Sequence, residues 1–297
     1  MGLIVYSQFK TFTRLTRNLC EVGRSRSLLL QSARWVTSAS KTLTVTMDDK
    51  TGIAVMSLNK PPVNSLSLEF MTEINIALEK LEHEKFCRGV IITSAVPRIF
   101  SAGLDILEMY QPKPERLSEF WKTLQDMWLL LFGSRLTTIA AINGHSPAGG
   151  ALIAMSCDYR IMAPGFTIGL NETQLGIVPP FWFIDTMIHT VGSRQTELCC
   201  QKGLMLSTEE AARIGLVDKV VPLDQIASEA KAEMQSWLKI PVAAKLITKQ
   251  IIRAPILEKL QTRQEADVQN FCNFAMKDSV QKSLGMYLEN LKKKQKE

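Results

Sequence analysis

A chain of 297 residues, 46% hydrophobic and 22% charged, has ordinary globular composition and can bury a real core in one large domain or two modest ones. No apolar run approaches the ~18 residues of a bilayer-crossing helix, which excludes a helical membrane span. The net charge of +6 comes wholly from residues 1–41, where seven basic side chains face the single acid Glu21; residues 42–297 are formally neutral and lack the basic face of a nucleic-acid-binding protein.

Residues 1–41 are arginine-rich, rich in Ser and Thr and poor in acids, the composition of a mitochondrial transit peptide, with removal expected after Arg34, near Ser38 to Lys41. Two strands are predicted at 43–46 and 53–58 around the turn Asp48-Asp49-Lys50-Thr51-Gly52. Pro61-Pro62 ends the second. An amphipathic helix follows, with Phe70, Ile74, Ala77, Leu78 and Leu81 at helical spacing and Ser65 or Ser67 as its cap. Gly89 to Thr93 reads as a buried, β-branched strand. After it comes a loop of small residues that turns into helix, Phe100-Ser101-Ala102-Gly103-Leu104-Asp105-Ile106.

A second amphipathic helix carries Phe120, Leu124, Met127, Trp128 and Leu131. The strand 138–142 ends in Asn143-Gly144, and Pro147-Ala148-Gly149-Gly150 then opens a run of helix formers. Strands at 159–162 and 166–168 complete an alternation that argues for a wound α/β architecture. Past residue 181 the strand signal fades. Ser207-Thr208-Glu209-Glu210 is a capping box, and helical patterns run from Asp224 to the end, broken by Pro241 and Pro255.

Adjacent glycines at a helix start bring backbone N–H groups close to a ligand, at the positive end of the helix dipole. Such a place suits a phosphate or a developing oxyanion; tight packing is the plainer alternative for a glycine pair. Gly144-His145-Ser146-Pro147-Ala148 is one residue away from a nucleophile elbow, but proline stands where that elbow needs an N–H. Six cysteines and three histidines show no metal-ligand spacing, so no metal site is expected. Asp105 and Glu108 read first as a helix cap and a first-turn acid.

Ser101-Ala102-Gly103-Leu104-Asp105, followed some forty residues later by Asn143-Gly144-His145-Ser146-Pro147-Ala148-Gly149-Gly150, resembles the paired signatures of the crotonase (enoyl-CoA hydratase/isomerase) superfamily; Gly215 to Pro222 is similar to a third. The resemblance covers roughly residues 42–297. It implies an α/β fold, a crotonase-type spiral of ββα units over 42–235, and a helical C-terminal region, 236–297, used for trimer packing. It also implies that the N–H groups of Leu104 and Gly149 hold the thioester oxygen, and that residues 102–106 (Ala102, Gly103, Leu104, Asp105, Ile106) and Gly149 line the substrate site.

Hydratases of this superfamily carry two glutamates. The first position here is Leu152, and only the second, Glu172, titrates. One carboxylate suffices for a double-bond shift, so the isomerase branch is implied: 3-cis or 3-trans-enoyl-CoA to 2-trans-enoyl-CoA in mitochondrial β-oxidation. Hydration, thioester hydrolysis and a non-catalytic binding role stay open beside it. The implied partners are the enoyl-CoA substrate and two further copies of the chain in a homotrimer. The implied location is the mitochondrial matrix, and no cofactor is needed beyond the coenzyme A that the substrate carries. Lys60 is a candidate for the coenzyme A phosphates, and Phe181, Trp182 and Phe183 are candidates for the acyl pocket or the core.

Overall fold

Every residue of the strand Thr137–Ile142 (β6) is buried, and Gly89–Ser94 (β4) is buried at all but one position. Apolar runs of this kind are what parallel strands covered on both faces require. In the computed structural model, which describes residues 38–39 and 42–294, these strands form the centre of a seven-stranded sheet. Ser38–Ala39 (β1), Leu43–Asp48 (β2) and Ile53–Leu58 (β3) pair antiparallel on one side. From β3 the order continues in parallel through β4, β6, Tyr159–Met162 (β8) and Lys219–Val220 (β11). Apart from Ser38 and Ala39, the expected transit peptide lies outside the described residues.

A second, four-stranded sheet holds Arg98–Ile99 (β5), Gly144–Pro147 (β7), Thr167–Gly169 (β9) and Leu206–Ser207 (β10), in the order β10-β9-β7-β5. The chain therefore passes from the large sheet to the small one twice, from β4 to β5 ahead of residues 101–105 and from β6 to β7 ahead of Ala148 and Gly149. Residues 144–147 read as loop in the sequence but are strand here, paired to β5 and β9. A four-residue strand of Gly, His, Ser and Pro has no hydrophobic alternation to reveal it.

The helix expected around residues 70–81 spans Leu68–His83, and its cap is Ser67, whose hydroxyl accepts from the Phe70 N–H at 3.4 Å. The second amphipathic helix spans Pro114–Phe132. The capping box at Ser207 is present in both directions. Pro255 is a correction: it lies inside the helix Val242–Gln261 and does not break it. The missing proline N–H frees the carbonyl of Ile251, four residues earlier, and Ile251 is 66% exposed, so water can take that bond.

The same helix is pinned to the core by a buried ionic group. Asp158 meets Lys249 at 2.9 Å and Arg253 at 3.0 Å. Arg253 also donates to the carbonyls of Phe132 (2.8 Å) and Ser156 (3.1 Å), capping the C-terminal ends of two core helices where a cation suits the dipole. Burial pushes the Lys249 ammonium down while Asp158 opposes that shift. Five cysteines among the described residues are free and buried. Among the described residues, no helix is long and apolar enough to cross a membrane, and no group of His, Cys, Asp and Glu is placed to hold a metal.

Candidate active site

The segment between β3 and the first helix builds the first loop. Asn64 is fully buried, and its side-chain amide donates to Ser94 Oγ (2.8 Å) and the Phe100 carbonyl (3.0 Å) while accepting from the Lys60 N–H (2.7 Å). Its φ of 51° is one that asparagine tolerates better than most residues. Ser101 Oγ in turn donates to the Asn64 carbonyl at 2.8 Å. Asn64 thus fixes residues 100–104, a role that its place in the sequence did not disclose. The signal available was an asparagine between a proline pair and a helix cap.

Gly103 has φ +82° and leads into a parallel bridge between Leu66 and Leu104. The Leu66 N–H donates to the Gly103 carbonyl and the Asp105 N–H to the Leu66 carbonyl. Leu104's own N–H therefore points away from Leu66. The second loop meets this one edge on. Ala148, at φ 48° and ψ −117°, turns the chain into the helix Gly149–Ser156, all of whose residues are buried. A Cβ built on Gly149 would fall 2.9 Å from Leu66 Cδ1, 3.3 Å from Gly103 Cα and 3.5 Å from Leu104 Cδ2. The missing side chain of Gly149 lets the loops pack together, which sets the first N–H of the helix beside the Leu104 loop.

Leu104 and Glu172 line the same cavity. Glu172 begins the 3-10 turn Glu172–Leu175 just after β9 and is 6% exposed. It is the one ionisable side chain in the cavity wall, whose other members are apolar or aromatic. Its Oε2 has no hydrogen-bond partner, and burial pushes its carboxyl up to about 7. A solvated loop glutamate would show neither property. The far wall comes from the last two helices, Gln264–Ala275 and Asp278–Lys294, through Phe271, Phe274, Val280 and Leu284. Gln281 staples the last helix over the site by donating to the Met109 and Ala275 carbonyls and accepting from the Gln111 N–H. The C-terminal region is thus part of the cavity of its own chain.

Other candidates are placed elsewhere. The Asp105 carboxylate caps the turn Ile106–Glu108 and bonds Ser65 Oγ at 2.9 Å, so it does not face the cavity. Lys60 donates to the Ser65 carbonyl (2.8 Å) and pairs with Asp105 at 3.4 Å. Glu108 is more than a first-turn acid: buried, it accepts from the Leu68 N–H and from two nitrogens of Arg116. His145 Nδ1 accepts from the Thr167 N–H, and Ser146 Oγ is buried without a partner. Adjacent residues of one strand point to opposite faces, so no Ser–His pair forms. Of the three aromatics, Phe183 lines the cavity and Trp182 is core. Leu152 is buried and supplies no second acid near Glu172.

Two convergent glycine loops on a two-sheet spiral, with a buried carboxylate beside them, define a class, and the family model described as enoyl-CoA hydratase/isomerase matches residues 48–297. The chain belongs to that family. Within it, the chain is 52% identical to the mouse (Mus musculus) "Enoyl-CoA delta isomerase 1, mitochondrial" over 258 residues, which is 86% of this chain and 89% of that one. The crystal structure of human mitochondrial delta3-delta2-enoyl-CoA isomerase superposes with a TM-score of 0.84 at 50% identity, covering 85% of this chain and 98% of the human one. The short-chain-enoyl-CoA hydratase of Clostridium acetobutylicum is 31% identical over 211 residues, 70% of this chain and 81% of that one.

Proposed function

We propose that this chain is an enoyl-CoA isomerase that moves the double bond of a 3-cis or 3-trans-enoyl-CoA to the 2-trans position, with Glu172 as its single base. The observation that carries this reading is one buried, unpartnered carboxylate, raised to about 7, in an otherwise uncharged cavity beside the Leu104 loop. The Glu172 carboxylate removes a proton from C2, and the electron pair moves onto the thioester oxygen as a dienolate. The Leu104 and Gly149 N–H groups, one from each loop, stabilise that oxygen; such preorganised donors are worth ~3 kcal/mol each. The carboxyl then returns its proton to C4, which leaves the new bond between C2 and C3. Hydrogen count and oxidation state are unchanged, so the reaction needs no redox cofactor.

Hydration of the 2-enoyl-CoA would need a second group to activate water or deliver a proton, and Leu152 stands where hydratases resemble one another in having an acid. A resident carboxyl with a pKa near 7 suits a base that must both take and give a proton at neutral pH. Residues 102–106 and Gly149 serve the substrate through their backbone. The arginine-rich leader and the mitochondrial relatives support import, and we assign the matrix as the compartment. Exposed Ile247 and Ile252 on the helix Val242–Gln261 support the homotrimer, with residues 236–297 contributing both to packing between copies and to the cavity wall.

The test is the full-length protein with 3-hexenoyl-CoA, followed by the absorbance of the conjugated thioester and by product analysis. The expected product is 2-trans-hexenoyl-CoA, with no 3-hydroxyhexanoyl-CoA above the uncatalysed level. Hydroxyacyl product at a comparable rate, or release of free coenzyme A, would replace the isomerase reading with a hydratase or a hydrolase.

A further inference from the structure

Part of the cavity lining is an aromatic wall with an unusual support. Trp121, on the helix Pro114–Phe132, and Phe271, on the helix Gln264–Ala275, both line the cavity, and their rings stack with centroids 3.4 Å apart and planes 8° apart. No alkyl chain passes between rings in van der Waals contact. Behind Trp121 stands Trp182, edge on at 6.0 Å, and behind Trp182 stands Trp128 at 5.4 Å; both are fully buried. The wall therefore backs onto solid core.

What fixes it is a carboxylate outside the cavity lining. Asp267 Oδ2 accepts from Trp121 Nε1 at 2.7 Å, from Gln125 Nε2 at 2.8 Å and from Trp182 Nε1 at 3.2 Å. Asp267 lies one helical turn before Phe271, and Trp121 one turn before Gln125, so each pair shares a helix face. One oxygen thus sets the rotamers of two indoles and locks the Phe271 helix to the Trp121 helix. Indole N–H groups enclosed by core need such a partner, but two helices can be joined without placing the partner beside a cavity wall.

Resting on the reading that Leu104 and Glu172 hold the thioester end, we propose that the Trp121–Phe271 stack is the stop that limits acyl length, and that Asp267 is the positioning residue that keeps the stop closed. Short enoyl chains fit between Glu172 and the stack. Longer ones require the stack to open. One methylene too many in a closed apolar pocket changes discrimination by roughly 10-fold or more, so a stop of this kind separates acyl-CoA substrates sharply by length.

The experiment measures kcat/KM of the full-length protein for 3-hexenoyl-CoA and 3-dodecenoyl-CoA, in wild type and in Phe271→Ala, Asp267→Ala and Asp267→Asn. Phe271→Ala should raise the dodecenoyl-to-hexenoyl ratio by at least roughly 10-fold. Asp267→Ala should raise it in the same direction, and Asp267→Asn, whose amide oxygen still accepts from the indoles, should return it toward wild type. An unchanged ratio in Phe271→Ala, or an equal fall for both substrates in Asp267→Ala without rescue by asparagine, overturns the proposal. Phe271→Leu takes the place of Phe271→Ala if the latter does not fold. Dissociation constants for hexanoyl-CoA and dodecanoyl-CoA read the same ratio without turnover. If wild type isomerises neither enoyl substrate, the isomerase reading fails while the acyl stop is still decided by those constants.

Discussion

Glu172→Gln is expected to lower turnover of a 3-enoyl-CoA by about 10²–10⁴-fold, the usual contribution of a positioned general base, while acyl-CoA affinity stays near that of wild type. The substitution keeps the size and polarity of the side chain and removes only its ability to take a proton. Glu172 makes no side-chain ion pair in the structure, and its Oε2 has no partner, so no network is broken by the change. In the proposed mechanism the thioester is held by backbone donors of other residues, which the substitution leaves untouched. Single-turnover rates, set against dissociation constants for a saturated acyl-CoA, separate the two effects. Weakened binding with turnover largely kept would mark Glu172 as a structural residue of the cavity.

Gly149→Val should cost about 10²–10³-fold in kcat, the loss seen when one oxyanion donor is removed from a comparable site. The Cβ alone meets Leu66 Cδ1 at 2.9 Å and Gly103 Cα at 3.3 Å. A flexible leucine end can yield to one methyl group, so Gly149→Ala should be mild. Branching at Cβ adds atoms on the side of Gly103 and Leu104, and the two loops must part. The N–H groups proposed to share one oxygen are then separated. Thermal unfolding distinguishes this from collapse of the fold: a folded Gly149→Val protein with wild-type kcat would contradict the assignment of the Gly149 N–H.

These expectations show which parts of the site can be read from sequence. Helix Leu68–His83 was legible because its apolar spacing and its serine cap are local signals, and strands β3, β4 and β6 because buried β-branched runs are. The position of Glu172 was legible through the resemblance alone. Its burial was not, because the residues that enclose it lie at 104–109, 121, 177–183 and 271–284, separations at which no local pattern acts. The partners of Lys60 were not legible for a related reason: a lysine beside two prolines gives no hint that Ser65 and Asp105 will meet its ammonium. Pro255 was misread because a helix tolerates proline where the freed carbonyl faces water, and exposure is a tertiary property. Nothing local to Asp267 marks it out, because its indole partners, Trp121 and Trp182, come from two other helices.

The central claim, that one buried carboxylate does the proton transfer, is tested most directly by the pH dependence of kcat/KM, which reports groups of the free enzyme. Burial raises the Glu172 carboxyl to about 7, and the base works only when ionised. Activity on 3-hexenoyl-CoA should therefore rise with pH and reach half its plateau near pH 7, well above the range of an ordinary glutamate. The residual activity of Glu172→Gln should lack that limb. A wild-type profile flat between pH 5.5 and 8.5, or the same limb retained in Glu172→Gln, would contradict the account.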